Sequence, residues 1–147
     1  MYDVILVPTD GSDAARAAGT YAISLATEVG AALHVVYVVD EGAANLLLSS
    51  HSMSDLLKGL NEAGEQAVGD LEAAATKAGV SVTTEVVQGI HVNEAIIAAA
   101  KRADADLIVM ATYGERGLEH ILGSTTQRVL ARSHIPVLAI PSDEMPT

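Results

Sequence analysis

Val4-Ile5-Leu6-Val7, running into Pro8-Thr9-Asp10-Gly11-Ser12, decides how the rest of the chain is read. A short continuous apolar run rich in β-branched residues suits a strand buried on both faces. The Pro-Thr-Asp-Gly-Ser cluster that stops it is a turn. Ala14 to Val29 then carries helix formers as far as Gly30, which fits a helix C-cap. Strand, turn and helix in that order make the first half of a crossover unit.

The same order recurs outward from this stretch. Leu33 to Val39 reads as a second strand, and Asp40 to Met53 as a loop with a helical turn open at Leu46-Leu47-Leu48. Ser54 can cap a long helix that reaches about Ala78 and ends at Gly79. Val80 to Val87 is a third strand, Asn93 to Arg102 a helix, and Leu107 to Met110 a fourth strand. A glycine-bearing loop spans Ala111 to Gly123, with a helical turn between Leu118 and Leu122. Ser124 opens the last helix, to about Ser133, and Val137-Leu138-Ala139-Ile140 is the fifth strand. Pro141 to Thr147 is a polar tail expected to fray.

Alternating strands and helices imply right-handed crossovers and a parallel sheet with helices on both faces. Five strands match an open, doubly wound α/β fold of order 3-2-1-4-5. No internal repeat or linker divides the 147 residues, so 1–147 reads as one domain.

Composition narrows the chemistry. Half of the residues are hydrophobic and 18% are charged, which excludes a disordered chain. With no Phe, no Trp and four Tyr, the core must be Ala, Val, Leu and Ile, and platforms for stacking bases or flavins are scarce. The lack of Cys removes disulfides, thiolate metal sites and cysteine nucleophiles. Eight bases against 19 acids give a net charge of −11, a surface that repels nucleic acid and anionic membranes. No apolar run approaches the roughly 18 residues of a membrane span, and Met1-Tyr2-Asp3 does not open a signal peptide, so a cytoplasmic protein is expected. Residues 1–100 hold thirteen acids and three bases, whereas 101–147 hold six and five. An anionic ligand meets least repulsion in the C-terminal third.

In a doubly wound sheet, ligands sit at the carboxyl ends of the strands where the order reverses, here between strands 1 and 4. Pro8 to Ser12 ends there, and so does Ala111-Thr112-Tyr113-Gly114-Glu115-Arg116-Gly117, leading to Gly123-Ser124-Thr125-Thr126 at a helix start. Glycines allow close approach, hydroxyls donate, and the open N–H groups of a helix start favour an anion. The plainer alternative makes Ser124 an N-cap and the glycines turn residues. Asp10 is placed to accept from an adenine amino group or a ribose hydroxyl; equally, Asp10 or Ser12 caps the next helix. Arg116 and Arg128 either neutralise phosphate charge or are solvated.

These residues taken together resemble the universal stress protein family. Val4 to Ser12 is similar to the opening of such domains. So are Ala105-Asp106-Leu107-Ile108-Val109-Met110, Gly114, Gly117, Gly123-Ser124, Arg128-Val129-Leu130 and Ile135-Pro136-Val137-Leu138-Ala139-Ile140, with Gly89 after strand 3. The resemblance covers essentially the whole chain in order. It implies a Rossmann-like fold of the adenine nucleotide alpha hydrolase type, a cytoplasmic homodimer, and a role in stress responses.

The ATP-binding branch of the family carries G-x2-G-x9-G-S/T after strand 4. Ala111 stands where the first glycine is expected, Gly114 is the second, and Gly123-Ser124 close the pattern with eight residues between instead of nine. With one residue fewer, a short helical turn between Leu118 and Leu122 would start or end about 100° out of phase, shifting the phosphate-facing amides of Gly123 and Ser124. The resemblance implies ATP or a related adenine nucleotide (AMP or ADP), with Mg²⁺ or Mn²⁺ arriving on the phosphates. It would be held by Pro8, Thr9, Asp10, Val38, Ala111, Gly114, Arg116, Gly117, Gly123, Ser124 and Thr125. Val38 offers only backbone and an apolar contact, and is equally a core residue. The implied dimer pairs Ile135 to Ile140 across a two-fold axis, an apolar edge unguarded by Lys. A dimeric interaction module without nucleotide is the alternative.

His34, His51, His91, His120 and His134 show no ligand spacing, so no protein metal site is expected. P-loop and dinucleotide glycine patterns are absent, and Ser12 lacks a nucleophile-elbow context. No base or Lys is positioned for fast catalysis; the sequence leaves slow ATP hydrolysis open.

Overall fold

A computed structural model of the chain describes residues 2–42, 53–113 and 122–141. The elements are β1 (Val4–Pro8), α1 (Asp13–Val29), β2 (Ala32–Asp40), α2 (Met53–Lys77), β3 (Val82–Gly89), α3 (Val92–Arg102), β4 (Leu107–Ala111), α4 (Ser124–Arg132) and β5 (Val137–Ile140). The five strands form one sheet in the order β3-β2-β1-β4-β5, with every neighbouring pair parallel. This is the expected doubly wound arrangement.

Side-chain alternation along the inner strands builds two cores. Ile5, Val7, Leu33, Val35, Leu107 and Val109 pack with Ala22 and Ala26 of α1 and with Val68, Leu71 and Ala75 of α2. Leu6, Val36, Ile108 and Met110 face the other way, onto Ile96, Ala99 and Ala100 of α3 and Val129 of α4. Aliphatic side chains of modest size let the layers approach closely, and glycine takes this furthest. A Cβ on Gly19 of α1 would overlap the buried Leu71 side chain of α2.

α1, α2 and α3 end with the same device. Gly30 and Gly79 adopt positive φ of 74° and 81°, and Asp104 takes φ 54° in the equivalent place. The residue that follows turns its amide back to the carbonyl five positions earlier: Ala31 to Ala26, Val80 to Ala75, and Ala105 to Ala100. Ala31, Val80 and Ala105 are buried. This is a Schellman closure, in which a left-handed residue satisfies the last carbonyls and tucks an apolar neighbour under the helix.

That device moves some expected boundaries. Val80 belongs to the cap of α2, so β3 starts at Val82 and runs on to Gly89. Ala111 is the last strand residue of β4, in register with Ile140, and does not open the loop. Ser54 does not cap α2, which starts at Met53. β2 runs through Asp40, and Glu41 and Gly42 are helical, so the expected loop does not begin at Asp40. The helical turns expected at 46–48 and 118–122 lie outside the described residues, except Leu122, which is not helical.

Candidate functional site

β1 and β4 are adjacent, with Ile5 level with Leu107 and Leu6 with Ile108. Their carboxyl ends therefore open at the same edge of the sheet, where β1 also meets β2. Beyond β1 the chain makes a tight turn stabilised by its own side chains. Thr9 donates its amide to the Val36 carbonyl at 2.9 Å, and its hydroxyl oxygen accepts from the Gly11 amide at 3.1 Å. Asp10 Oδ1 accepts from the Ser12 amide at 2.9 Å, an Asx turn. Ser12 is the N-cap of α1, its Oγ accepting from the Ala15 amide. Capping thus falls to Ser12, while exposed Asp10 holds the turn. Gly11 takes φ 80°, a conformation that disfavours a side chain.

Beyond β4, two bonds fix the start of α4. Gly123 donates its amide to the Thr112 carbonyl at 2.8 Å, and the buried Thr126 hydroxyl donates to the Ala111 carbonyl at 2.9 Å. Gly123 is the N-cap and provides no side-chain bond, so Ser124 is the first helical residue and not the cap. The first internal amide of the helix, Gln127, bonds the Gly123 carbonyl. The amides of Ser124, Thr125 and Thr126 thus precede the helical ladder, and among the described residues no side chain caps them. Gly123 contributes nearness and a carbonyl; its own amide is committed to Thr112.

Two sequence departures find their physical context here. Ala111 lies in regular strand, and its methyl packs against Ala14 and Ala18 of α1. Asp104 alone among the described non-glycine residues has positive φ, so alanine at 111 carries no backbone strain. The shortened stretch between Gly114 and Gly123 lies outside the described residues except Leu122, whereas the start of α4 is fixed by its bonds to Thr112 and Ala111.

Pro8, Thr9, Asp10, Ala111, Gly123, Ser124 and Thr125 are brought to this edge. Val38 reaches it on β2, half-buried against the α3 core cluster. Gly114, Arg116 and Gly117 lie outside the described residues, as do His51 and His120. Thr126, grouped in the sequence with the hydroxyls offered to an anion, instead spends its buried hydroxyl on the Ala111 carbonyl and ties helix to strand, a role that sequence reasoning missed. A polar β-branched residue two positions beyond a Gly-Ser pair was the available signal.

A second polar cluster went unread because it joins residues distant in sequence. His34 lies level with Thr83 across β2 and β3. Its Nδ1 is 2.6 Å from Thr83 Oγ1, and its Nε2 is 3.1 Å from Glu85 Oε1. A carboxylate only accepts, so Nε2 carries a hydrogen and donates it to Glu85, while Nδ1 pairs with the Thr83 hydroxyl. Arg102, at the end of α3, donates to the same Glu85 oxygen at 2.9 Å. Burial pushes the Glu85 carboxyl up, but the His34 and Arg102 hydrogen bonds and their charges outweigh it and hold the group below its ordinary value. Among the described residues, no group of three or more His, Asp or Glu could hold a metal ion. No described helix is long and apolar enough to cross a membrane.

The model of the universal stress protein family matches residues 1–141. The chain is 39% identical over 141 residues to the universal stress protein MJ0531 of Methanocaldococcus jannaschii, covering 95% of this chain and 82% of that one. Its fold superposes on that of MJ0577 with a TM-score of 0.85 at 28% identity, covering 98% and 99% of the two chains. With UspA from Lactobacillus plantarum the TM-score is 0.84 at 31% identity, covering 95% and 97%. Two solved structures under 25% identical share the fold, one a universal stress protein in complex with cAMP (24%, TM-score 0.69) and one an Arabidopsis thaliana family member with AMP bound (16%, TM-score 0.72). A sheet of order 3-2-1-4-5, a Gly-Ser helix start at its switch point and a family match from the first residue to the end of β5 converge on one conclusion: the chain belongs to the universal stress protein family.

Proposed function

We propose that the chain binds an adenine nucleotide, ATP or AMP, at the crevice between the ends of β1 and β4, and acts as a homodimer in a cytoplasmic stress response. One observation carries the nucleotide reading: Ser124, Thr125 and Thr126 present their amides at a helix start where, among the described residues, no side chain caps them. Such amides, at the positive end of the helix dipole, suit a phosphate. They lie in the least acidic third of a chain whose net charge is −11. The Pro8-Thr9-Asp10 turn and Val38 stand at the same edge for the nucleoside. Gly114, Arg116 and Gly117 complete the proposed phosphate loop, and Mg²⁺ or Mn²⁺ would accompany a triphosphate. The cAMP- and AMP-bound proteins are distant enough to speak for the fold alone, so the reading stands on this helix start.

Mass spectrometry of nucleotide released from the denatured purified protein, together with calorimetry against ATP and AMP, tests it. Gly123→Val places a branched side chain at the anion approach, where the φ of −62° suits any residue. The expected outcome is lost nucleotide binding with an unchanged circular dichroism spectrum. Unchanged affinity would remove the site.

The alternative reading, an interaction module without nucleotide, is favoured by one feature. β5 is an edge strand of apolar residues, Val137-Leu138-Ala139-Ile140, with no charged side chain among them. Absence of binding at millimolar ATP with Mg²⁺ would leave that reading standing.

A further inference from the structure

We propose that a cleft between the first turn of α3 and the C-terminal half of α4 is a second anion seat, separate from the Gly123 helix start, taking the phosphate or carboxylate group of a small molecule. The cleft has a volume of about 360 Å³ and is lined by His91, Asn93, Glu94, Arg128 and Arg132. That volume lies at the small end of ligand pockets, which limits the occupant to a small molecule or one group of a larger one.

Asn93 is the first observation. Its side chain is 3% exposed, yet it forms part of the cleft wall, and its Nδ2 has no hydrogen-bond partner. A buried amide is satisfied in nearly all native structures, so an orphaned one marks a place where a partner belongs. Backbone donors stand beside it. His91 is the N-cap of α3 and gives no side-chain bond, so the first-turn amides of α3 are uncapped.

Arg128 and Arg132 are the second observation. Four residues apart, they lie on one face of α4 and both line the cleft. Among the described residues, neither makes an ion pair. Each guanidinium offers a planar fork of donors matched to an oxyanion. Two arginines less Glu94 leave one positive charge in the cleft, His91 counted neutral, within a chain of −11. Arg128 lies one turn along α4 from Ser124, roughly 6 Å, and Arg132 two turns, roughly 12 Å. The cleft is lined by their side chains and by α3 rather than by Ser124, Thr125 or Thr126, so this seat does not share the phosphate-facing amides of the first.

Amide and side-chain resonances of the full-length ¹⁵N-labelled chain, titrated with inorganic phosphate and in parallel with acetate, test the proposal. Saturable shifts of the Asn93 side-chain amide and of the His91 to Glu94 backbone with either anion are expected, and the better anion identifies the group. Arg132→Ala should weaken that binding at least tenfold while leaving shifts at Ser124 to Thr126 intact. Asn93→Asp, which opposes an anion at the same place, should abolish it. Shifts confined to Ser124–Thr126, or small uniform shifts that do not saturate, would overturn the second seat and leave the nucleotide reading untouched. Lost shifts at Ser124–Thr126 with Asn93 still responding would do the reverse.

Discussion

Glu85 is the residue where the electrostatics of this acidic chain are most constrained. It receives His34 Nε2 and Arg102 Nη2 on one carboxylate oxygen, and their donation and charge hold its pKa below the ordinary value despite burial. A group depressed in the folded state contributes stability above its unfolded pKa and loses it as the pH falls through the folded one. Glu85→Gln should therefore be less stable than the parent at neutral pH, with the gap closing on acidification past the usual glutamate range of about pH 4.3. Urea midpoints of both proteins between neutral pH and about pH 3 check this; a gap independent of pH would refute it. The cluster was illegible in the sequence because His34 and Glu85 stand 51 residues apart and meet only through strand register. Asn93 was hidden differently. It sits in a helix of apolar spacing, where nothing local marks an amide as buried and unpartnered.

At the scale of elements, the helix ends explain both what could be read ahead of the structure and what could not. Five strands and four long helices follow from apolar runs alternating with helix formers, and all appear in the expected order. Boundaries moved where an apolar residue served a cap. Val80 reads as strand by composition, yet its amide closes α2 onto Ala75. Asp104 is the same kind of case, since an aspartate does not announce the left-handed position that Gly30 and Gly79 announce openly. Asp104→Gly should stabilise the protein by about 0.5–1 kcal/mol, the left-handed penalty of about 1–2 kcal/mol less the extra chain entropy of glycine. Thermal or urea unfolding measures it, and a destabilised variant would show that the Asp104 side chain earns its place by other contacts. The start of α4 was legible as a Gly-Ser junction, but the choice of Gly123 over Ser124 as cap was not, because it depends on the tie from Gly123 to Thr112.

Across the whole molecule, the two edges of the sheet are unlike. β3 carries Thr83, Thr84, Glu85 and Gln88, whereas β5 carries only Val137, Leu138, Ala139 and Ile140. The Pro136 and Ile140 carbonyls accept from Ile108 and Thr112, so even-numbered residues of β5 face β4. In a parallel strand the odd-numbered Val137 and Ala139 then turn their backbone groups toward the free edge. Ala139→Pro removes an outward donor without touching the bonds to β4. If β5 is the dimer edge, sedimentation should show the variant shifted toward monomer at concentrations where the parent is a dimer. An unchanged mass would place any self-association elsewhere. The joint at the base of the chain between β4 and α4 also bears on how such a protein can diversify. Thr112 with Gly123, and Ala111 with Thr126, fasten the departure and return of that stretch like a buckle on a strap. Both fastenings are made by residues that flank 114–121, so descendants of this sequence can vary between them while the bonds that aim the helix stay in place.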